Sequence, residues 1–339
     1  MHKRSQEEIE KDLAVYYEAA LSRIRDDIAV LYARYAADNE LDIDVARKLI
    51  NGSEYRIWRM DIKDYVKQIE ATEDQKLLLE LNTLAMRSRI TRLDKLYGET
   101  AMELAKMAGK VNSHIARFLE ETFKDGYYHG LYDIAQEWQI KLPVSKVTPD
   151  KLRAVLQEPW SGKNYSQRLW KNTDELAKTI RAEILGGIHR GASVQEMGRN
   201  VSERMEVGRK ESMRLVRTEL NYAQNRAAME SIKDAGMEYF TFIATLDRRT
   251  SATCRNHDGH VYKISEAEQG TNVPPLHPYC RSTIAASLYG PDGKHVGTRI
   301  GRDGENKAIH VPADMKYKDW QKIYVDESMS RESWEKHSK

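Results

Sequence analysis

The chain changes its apolar pattern at the stretch Tyr239-Phe-Thr-Phe-Ile-Ala-Thr-Leu246. Upstream of it apolar residues recur at helical spacing, whereas this stretch is rich in aromatic and β-branched residues, which favour a β-strand. Two shorter strand candidates follow it, His260 to Ile264 and Arg281 to Leu288. We therefore predict a small antiparallel sheet late in the chain.

Helix signals occupy the sequence between residue 148 and this sheet. Thr148 is the expected N-cap of a helix whose first position is a proline, where the missing N–H costs nothing. Ser193 with Glu196 forms a capping box, and a long helix is predicted from about Lys210 to Ala235, ending at Gly236. Helices followed by a sheet make this part of the chain α+β.

The first 142 residues lack proline, although the whole chain has 8. Because proline interrupts helices, this part suits long helices. Capping boxes at Ser5 with Glu8 and at Thr72 with Gln75 precede apolar runs. The first run repeats in steps of three and four residues and so lies on one helical face: Ile9, Leu13, Tyr16, Ala20, Ile24, Ile28, Leu31 and Tyr35.

The segment Lys141 to Pro149 is the best candidate for a linker. We therefore divide the chain into a helical docking module, residues 1–142, a domain at residues 150–290 and a polar C-terminal tail at residues 291–339. The tail is expected to be loosely packed. The predicted fold class is α+β and mostly helical, with a helical module followed by a helical domain that ends in the small sheet with a Cys/His loop.

Composition narrows the class of protein. The chain has 54 basic and 52 acidic side chains, so its formal net charge is +2. Nucleic-acid-binding proteins usually carry a clustered basic surplus, so this balance gives no support to DNA binding. No run of about eighteen apolar residues occurs, which excludes a membrane-spanning helix. The polar N-terminus is unlike a secretory signal, and we expect synthesis in the cytoplasm.

Both cysteines lie in one short region together with three of the 10 histidines. Cys254 with His257 and His277 with Cys280 form two pairs with two residues inside each, and nineteen residues separate the pairs. Such pairs are typical of a tetrahedral zinc site built from thiolate and imidazole ligands. We predict one structural zinc ion, with His260 as a spare ligand.

The alternative is that the histidines are surface-loop residues and that the cysteines are small buried hydrophobic residues. Two cysteines allow at most one disulfide, and synthesis in the cytoplasm argues against it. A closed shell of four protein ligands would favour a structural role for the metal over a catalytic one.

Other polar residues carry weaker signals. Arg217 and Glu219 lie within a predicted helix, and Asp247 follows the predicted strand. An arginine–aspartate pair could join the helix to the strand end, although a solvated helix face explains the same spacing. No glycine-rich phosphate loop, HExxH or GxSxG motif occurs, and we predict that the chain is not an enzyme.

Several motifs, taken in order, resemble the Mu F-like phage minor head (head morphogenesis) family. The resemblance covers about residues 155 to 290 and rests on these segments: Trp160 to Arg168, Gly191-Ala-Ser193, Arg217-Thr-Glu219, Thr245 to Cys254, Asp258 to Tyr262, and Pro274 to Arg281. The family usually has a second cysteine where this chain has Ser282, and the position of His257 is often apolar in relatives. Arg281 joins Arg217, Glu219 and Asp247 as a structural motif of this family pattern.

The resemblance implies a minor capsid protein of the phage head that associates with the portal and other head proteins. Its role would be head assembly, genome delivery or both, with contact to packaged DNA as a further expectation. Some relatives carry this domain ahead of a C-terminal toxin, but only about fifty residues follow Cys280, too few for a packed enzyme domain. Alternative interpretations are a metal-dependent enzyme using Arg217, Glu219 and the Cys/His residues, or a DNA-binding module.

Overall fold

The computed structural model describes residues 2–38, 92–190, 192–288, 290 and 298–337. In chain order the helices are α1 His2–Asp38, α2 Arg92–Trp138, α3 Pro149–Gln157, α4 Tyr165–Arg190, α5 Val194–Asp234, α6 Ala252–His257, α7 Tyr317–Tyr324 and α8 Arg331–His337. The strands are β1 Tyr239–Ile243, β2 Val261–Lys263, β3 Thr283–Ser287, β4 Thr298–Arg302 and β5 Ala308–Pro312. The predicted fold class, α+β and mostly helical, is confirmed. The predicted capping box at Thr72 lies outside the described residues.

The chain divides into two compact units that differ from the predicted division at residues 141–149. One unit comprises Met1–Ala116 and Tyr165–Leu215, and the other comprises Arg117–Asn164 and Val216–Lys339. The reason lies in the packing of α2, whose residues Phe123, Tyr127 and Leu131 share a hydrophobic core with Val147 and Leu152 beyond the predicted linker. Apolar contact across this segment therefore joins residues that the sequence pattern separates.

The first unit is helical and has a core built from the predicted periodic face of α1. Ile9, Leu13, Ile24 and Ile28 are at most 1% exposed. A buried hydroxyl pair, Tyr17 Oη and Ser212 Oγ at 2.8 Å, adds a directional contact between α1 and α5. Helix α1 begins at His2, so Ser5 lies inside the helix and is not its N-cap. Within the described residues no helix combines the length and apolar character needed to cross a membrane.

Two predicted caps are confirmed by their hydrogen bonds. The Thr148 side chain accepts from the Lys151 backbone N–H at the start of α3. The Ser193 hydroxyl accepts from the Glu196 backbone N–H at 3.1 Å at the start of α5. Helix α5 then continues without a break to Asp234, so the predicted capped helix and the predicted helix from about Lys210 are one element.

In the second unit α2 and α5 approach each other closely at two glycines. A Cβ atom on Gly126 would lie 3.1 Å from the Cβ of Ala227, and one on Gly130 would lie 2.3 Å from Ser231 Oγ. A Cβ atom at Gly130 would clash with the Ser231 side chain, so glycine lets the two helices approach this closely. The apolar residues near this crossing form two clusters, and Leu142 and Ala235 pack against both.

The predicted strands form a three-stranded antiparallel sheet of order β2–β1–β3. Phe242 is opposite Ile284 and Phe240 is opposite Ala286. The side chain of Phe240 packs with Ile134 of α2 and Ile232 of α5, so the sheet lies against the two long helices. Each strand is shorter than predicted, because the chain leaves the sheet early to form the loops described below.

The prediction of a loosely packed C-terminal tail is wrong for residues 298–337. Strands β4 and β5 pair as an antiparallel hairpin, and α7 and α8 follow them. Together they bury a hydrophobic cluster that includes Leu246, Val311, Met315, Trp320 and Trp334. The segment has few apolar residues and exposes its polar ones, so its composition alone resembled that of a tail.

Candidate metal centre

Cys254, His277 and Cys280 come together in the second unit, as the sequence predicts. Their ligand atoms all lie within 4.8 Å of one another. The sulfur atoms of Cys254 and Cys280 are 3.7 Å apart, and Cys254 Sγ is 3.2 Å from His277 Nε2. Both cysteines are buried beside Phe242 and Ala244, which form an apolar floor under the cluster. A cluster of this kind has the chemistry of a metal site.

Local structure places each of the three residues. Cys254 lies on α6, whose N-cap Ser251 accepts a hydrogen bond from the Cys254 backbone N–H at 3.2 Å. His277 and Cys280 lie in a tight turn in which the Cys280 N–H donates to the His277 carbonyl. The Asn221 side chain of α5 donates to the Ser282 carbonyl at 2.9 Å and anchors the end of this turn. The turn is therefore fixed on the long helix.

The imidazole of His277 is oriented for ligation. Its Nδ1 lies 2.8 Å from the carbonyl oxygen of Pro278, and only an N–H at Nδ1 can donate to that acceptor. The unprotonated Nε2 then faces Cys254 Sγ. A hydrogen bond from the second ring nitrogen to a carbonyl is the usual support for a metal-bound histidine.

The two thiols affect each other's ionisation. A hydrogen bond between the two sulfur atoms lowers the pKa of Cys280 from its ordinary value. The same hydrogen bond, together with burial, raises the pKa of Cys254 far above its usual range. The thiolate is the form of cysteine that binds metal ions, so the lowered pKa of Cys280 favours metal binding.

His257 does not join the cluster that the sequence predicts for it. Its Nδ1 is 2.7 Å from the Tyr262 hydroxyl, and its ring lies 5.3 Å from that of Phe242. Burial lowers the pKa of His257, with a smaller contribution from His260. His260, the predicted spare ligand, is exposed. The predicted set of four protein ligands is therefore a set of three in the structure.

Asp247 pairs with Arg281, which lies in a turn, whereas the sequence suggested a pair between Asp247 and an arginine of the helix. Arg281 donates to both carboxylate oxygens of Asp247, with one of the two distances at 2.8 Å. Burial is the largest single influence and raises the pKa of Asp247, but the hydrogen bonds and charge of Arg281 together with hydrogen bonds from Arg249 and Thr250 outweigh it, so that pKa is lowered. The partner arginine comes from the turn before β3, next to Cys280, and the pair ties that turn to the end of β1.

Glu219 and Arg217 lie on α5 in different surroundings. Glu219 is 2% exposed and accepts a hydrogen bond from Trp160 Nε1 at 3.2 Å. Trp160 in turn stacks on Tyr222, with ring centroids 5.2 Å apart. Arg217 is exposed. In this structure Glu219 supports the packing of the segment that contains Trp160 against α5.

Sequence reasoning did not assign a role to Asp258, although it lies in one of the quoted motifs. Its carboxylate accepts from the backbone N–H groups of Ala244 and Tyr317 and pairs with Arg299 at 2.9 Å. Asp258 is 3% exposed and joins β1 to the C-terminal segment. The only signal in the sequence was the Asp-Gly pair after α6, which indicates a turn and says nothing of these partners.

Comparison with known proteins agrees with the motifs. Residues 178–285 match the family model described as "Phage Mu protein F like protein". This segment includes α5, strands β1 and β2, the first part of β3 and all three residues of the candidate metal centre. No solved structure matches the chain.

The chain is also similar to a curated protein of Enterococcus faecalis (strain ATCC 700802 / V583) named "NAD(+)--arginine ADP-ribosyltransferase EFV". The two are 26% identical over 216 residues, which are 62% of this chain and 44% of the relative. The chain therefore spans less than half of that protein. The resemblance predicted from the motifs is confirmed over residues 178–285, the segment that matches the family model.

Proposed function

We propose that this chain is a minor head protein of a phage and acts at the portal vertex during head assembly, genome delivery or both. The observation that carries the proposal is the family match over residues 178–285, which indicates a phage head morphogenesis protein. The portal and other head proteins are the proposed partners, with packaged DNA as a further one, and the virion is the proposed location.

The buried cluster supports a structural role for this domain. Cys254 is 2% exposed and Cys280 is 3% exposed, so their sulfur atoms offer little surface to a substrate. Glu219 is the other residue that the sequence offered for an enzymatic role, and its carboxylate accepts a hydrogen bond from Trp160. Both features suit a structural protein, in which buried polar groups make contacts within the protein and not with a substrate.

The test is a nonsense mutation in the gene of the phage that encodes this chain, followed by purification of heads. We expect the protein in wild-type heads, with antibody label at a single vertex, and a loss of infectious particles without it. Heads that lack the protein yet form and infect normally would contradict the proposal. A catalytic requirement is tested separately with Glu219→Gln: an assembled head that fails at a later chemical step would indicate an enzyme.

We propose that the helical residues 1–142 hold the docking surface for the portal. Val15 and Val30 on α1 are 63% and 45% exposed, which leaves apolar surface for a partner. Because α2 shares a core with residues beyond 142, the full chain is used for the test. Val15→Glu with Val30→Glu should abolish portal binding, and Val207→Glu, at an equally exposed valine of α5, should not.

A second candidate function is arginine ADP-ribosylation, because the curated relative carries that name. More than half of the relative has no counterpart in this chain, since the match covers 44% of it. Purified chain incubated with labelled NAD+ and agmatine, a small arginine analogue, should show no transfer of label. Transfer that is lost in Glu219→Gln would establish this activity in place of a purely structural role.

We also propose that the ion held by the Cys/His/Cys cluster is zinc. Two sulfurs and one imidazole nitrogen are the donor set that zinc prefers, and the cluster joins α6 to the turn before β3. Metal analysis of purified protein should find close to one zinc per chain. Cys280→Ser should lower both zinc content and melting temperature, because binding at a structural site also stabilises the fold. Unchanged stability in chelator would contradict this.

A further inference from the structure

The three-residue cluster leaves one corner of a tetrahedral shell to be filled. Structural zinc is almost always bound by four ligands, and the structure brings together only Cys254, His277 and Cys280. In the part of the chain that the structure describes, no further His, Cys, Asp or Glu joins this group. Among the described residues, the remaining ligand would therefore be another kind of donor.

The spacing of the three atoms already suits a tetrahedron. Two Zn–S bonds of about 2.3 Å at the tetrahedral angle place the sulfurs about 3.8 Å apart, and a disulfide places them at about 2.05 Å. The observed separation of Cys254 Sγ and Cys280 Sγ is 3.7 Å. The Cys254 Sγ to His277 Nε2 distance of 3.2 Å is a few tenths of an ångström below the corresponding edge of about 3.6 Å.

The hydroxyl oxygen of Ser251 lies beside the same histidine nitrogen. Ser251 Oγ is 2.8 Å from His277 Nε2, so the nitrogen that would bind the metal faces both this oxygen and Cys254 Sγ. The oxygen is held in place from the other side, because it accepts the Cys254 backbone N–H at 3.2 Å as the N-cap of α6. The cap thus fixes an oxygen donor next to the cluster.

We propose that Ser251 Oγ is the fourth ligand of the zinc ion bound by Cys254, His277 and Cys280, an inference that rests on the zinc proposal above. The net charge of the zinc site favours an uncharged donor as the fourth ligand. Two thiolates balance the charge of Zn²⁺, so a neutral hydroxyl leaves the buried site without net charge, which burial favours. Ser251 takes the place that the sequence pattern suggests for His257.

The experiment compares Ser251→Gly with Ser251→Thr and Ser251→Cys in the full chain. Glycine removes the hydroxyl at little cost to the helix cap, threonine keeps the hydroxyl, and cysteine supplies a third thiolate. We expect zinc affinity, measured by competition with a chromophoric chelator, to fall about 10- to 100-fold in Ser251→Gly, to stay near wild type in Ser251→Thr and to rise in Ser251→Cys.

Cobalt substitution gives a second readout that a purely structural cap would not change. In cobalt-loaded wild type the fourth corner is filled, so azide should leave the visible spectrum unchanged. In Ser251→Gly the corner is open to an added ligand, and azide should shift the spectrum. Ser251→Cys should add intensity to the sulfur-to-cobalt charge-transfer band.

Two results would overturn the assignment of Ser251. One is wild-type zinc affinity in Ser251→Gly, and the other is azide binding to the wild-type cobalt site as readily as to that variant, which would show that a solvent molecule fills the corner. A wild-type protein that takes up neither zinc nor cobalt would instead refute the zinc proposal itself, and the Ser251 assignment with it.

Discussion

The second unit is stabilised in two different ways, by close packing where α2 crosses α5 and by directional polar contacts around α6 and the end of β1. At the crossing, the contacts are close apolar packing, made at glycines and by side chains such as Phe123 and Tyr222. Around α6, by contrast, two ion pairs and the Cys/His cluster join short segments. Many apolar side chains of suitable size can fill a packed core, whereas a metal ligand or an ion pair requires a particular type of residue. Three of the six segments that carry the family resemblance lie in the second region: Thr245 to Cys254, Asp258 to Tyr262, and Pro274 to Arg281.

The largest loss of stability is expected when the buried ion pair between Asp258 and Arg299 is broken. Their side chains are 1% and 11% exposed, and Asp258 also binds two backbone N–H groups. Arg299→Leu leaves the buried carboxylate without its counter-charge, which should lower the free energy of unfolding by about 3–5 kcal/mol. Denaturant unfolding measures this.

Arg302→Leu is the matched control, because Arg302 lies on the same strand, β4, and is exposed. Its effect should stay within about 0.5 kcal/mol. Equal effects from the two variants would mean that the polar contacts around β1 do not carry the stability assigned to them here.

The next effect tests the packed crossing. Gly130→Leu places a side chain where even a Cβ atom would lie 2.3 Å from Ser231 Oγ, so α2 and α5 must separate. Overpacking of this kind costs about 1–3 kcal/mol, and thermal unfolding should show a lower melting temperature. Gly109→Leu, on the same helix with no atom within 4 Å of the new Cβ, should raise stability instead, since leucine has the higher helix propensity. A tolerated Gly130→Leu would show that the crossing is loose.

The smallest loss of stability is expected from a substitution of Asp247, and its size depends on pH. The folded pKa of Asp247 lies below its ordinary value of 3.8, so its ion pair contributes stability above that value and loses it as the pH falls through the folded pKa. Asp247→Asn should therefore destabilise the protein by about 1–2 kcal/mol at neutral pH, and the difference from wild type should shrink below about pH 4. A difference that is independent of pH between 2 and 7 would contradict the charge-based account.

Much of the secondary structure of this protein can be predicted from its sequence, because the signals depend on neighbouring residues. The caps at Thr148 and Ser193, the helical face from Ile9 to Leu31 and the strand at Tyr239–Ile243 follow from neighbouring residues and their spacing. The order of the motifs also indicated the resemblance that the family model matches over residues 178–285, and the grouping of Cys254 with His277 and Cys280 followed from the preference of zinc for such ligands.

Only the tertiary structure decided which residues meet across loops. The orientation of α6 turns His257 towards Tyr262 and leaves Ser251 beside His277, and nothing in the spacing of two residue pairs specifies that rotation. The partners of Asp258 lie at Ala244, Arg299 and Tyr317, too far along the chain for any local pattern to indicate. The packing of residues 298–337 and the shared core on both sides of the predicted linker depend likewise on apolar contacts between distant segments. Local preference specifies elements, and long-range burial specifies how they are joined.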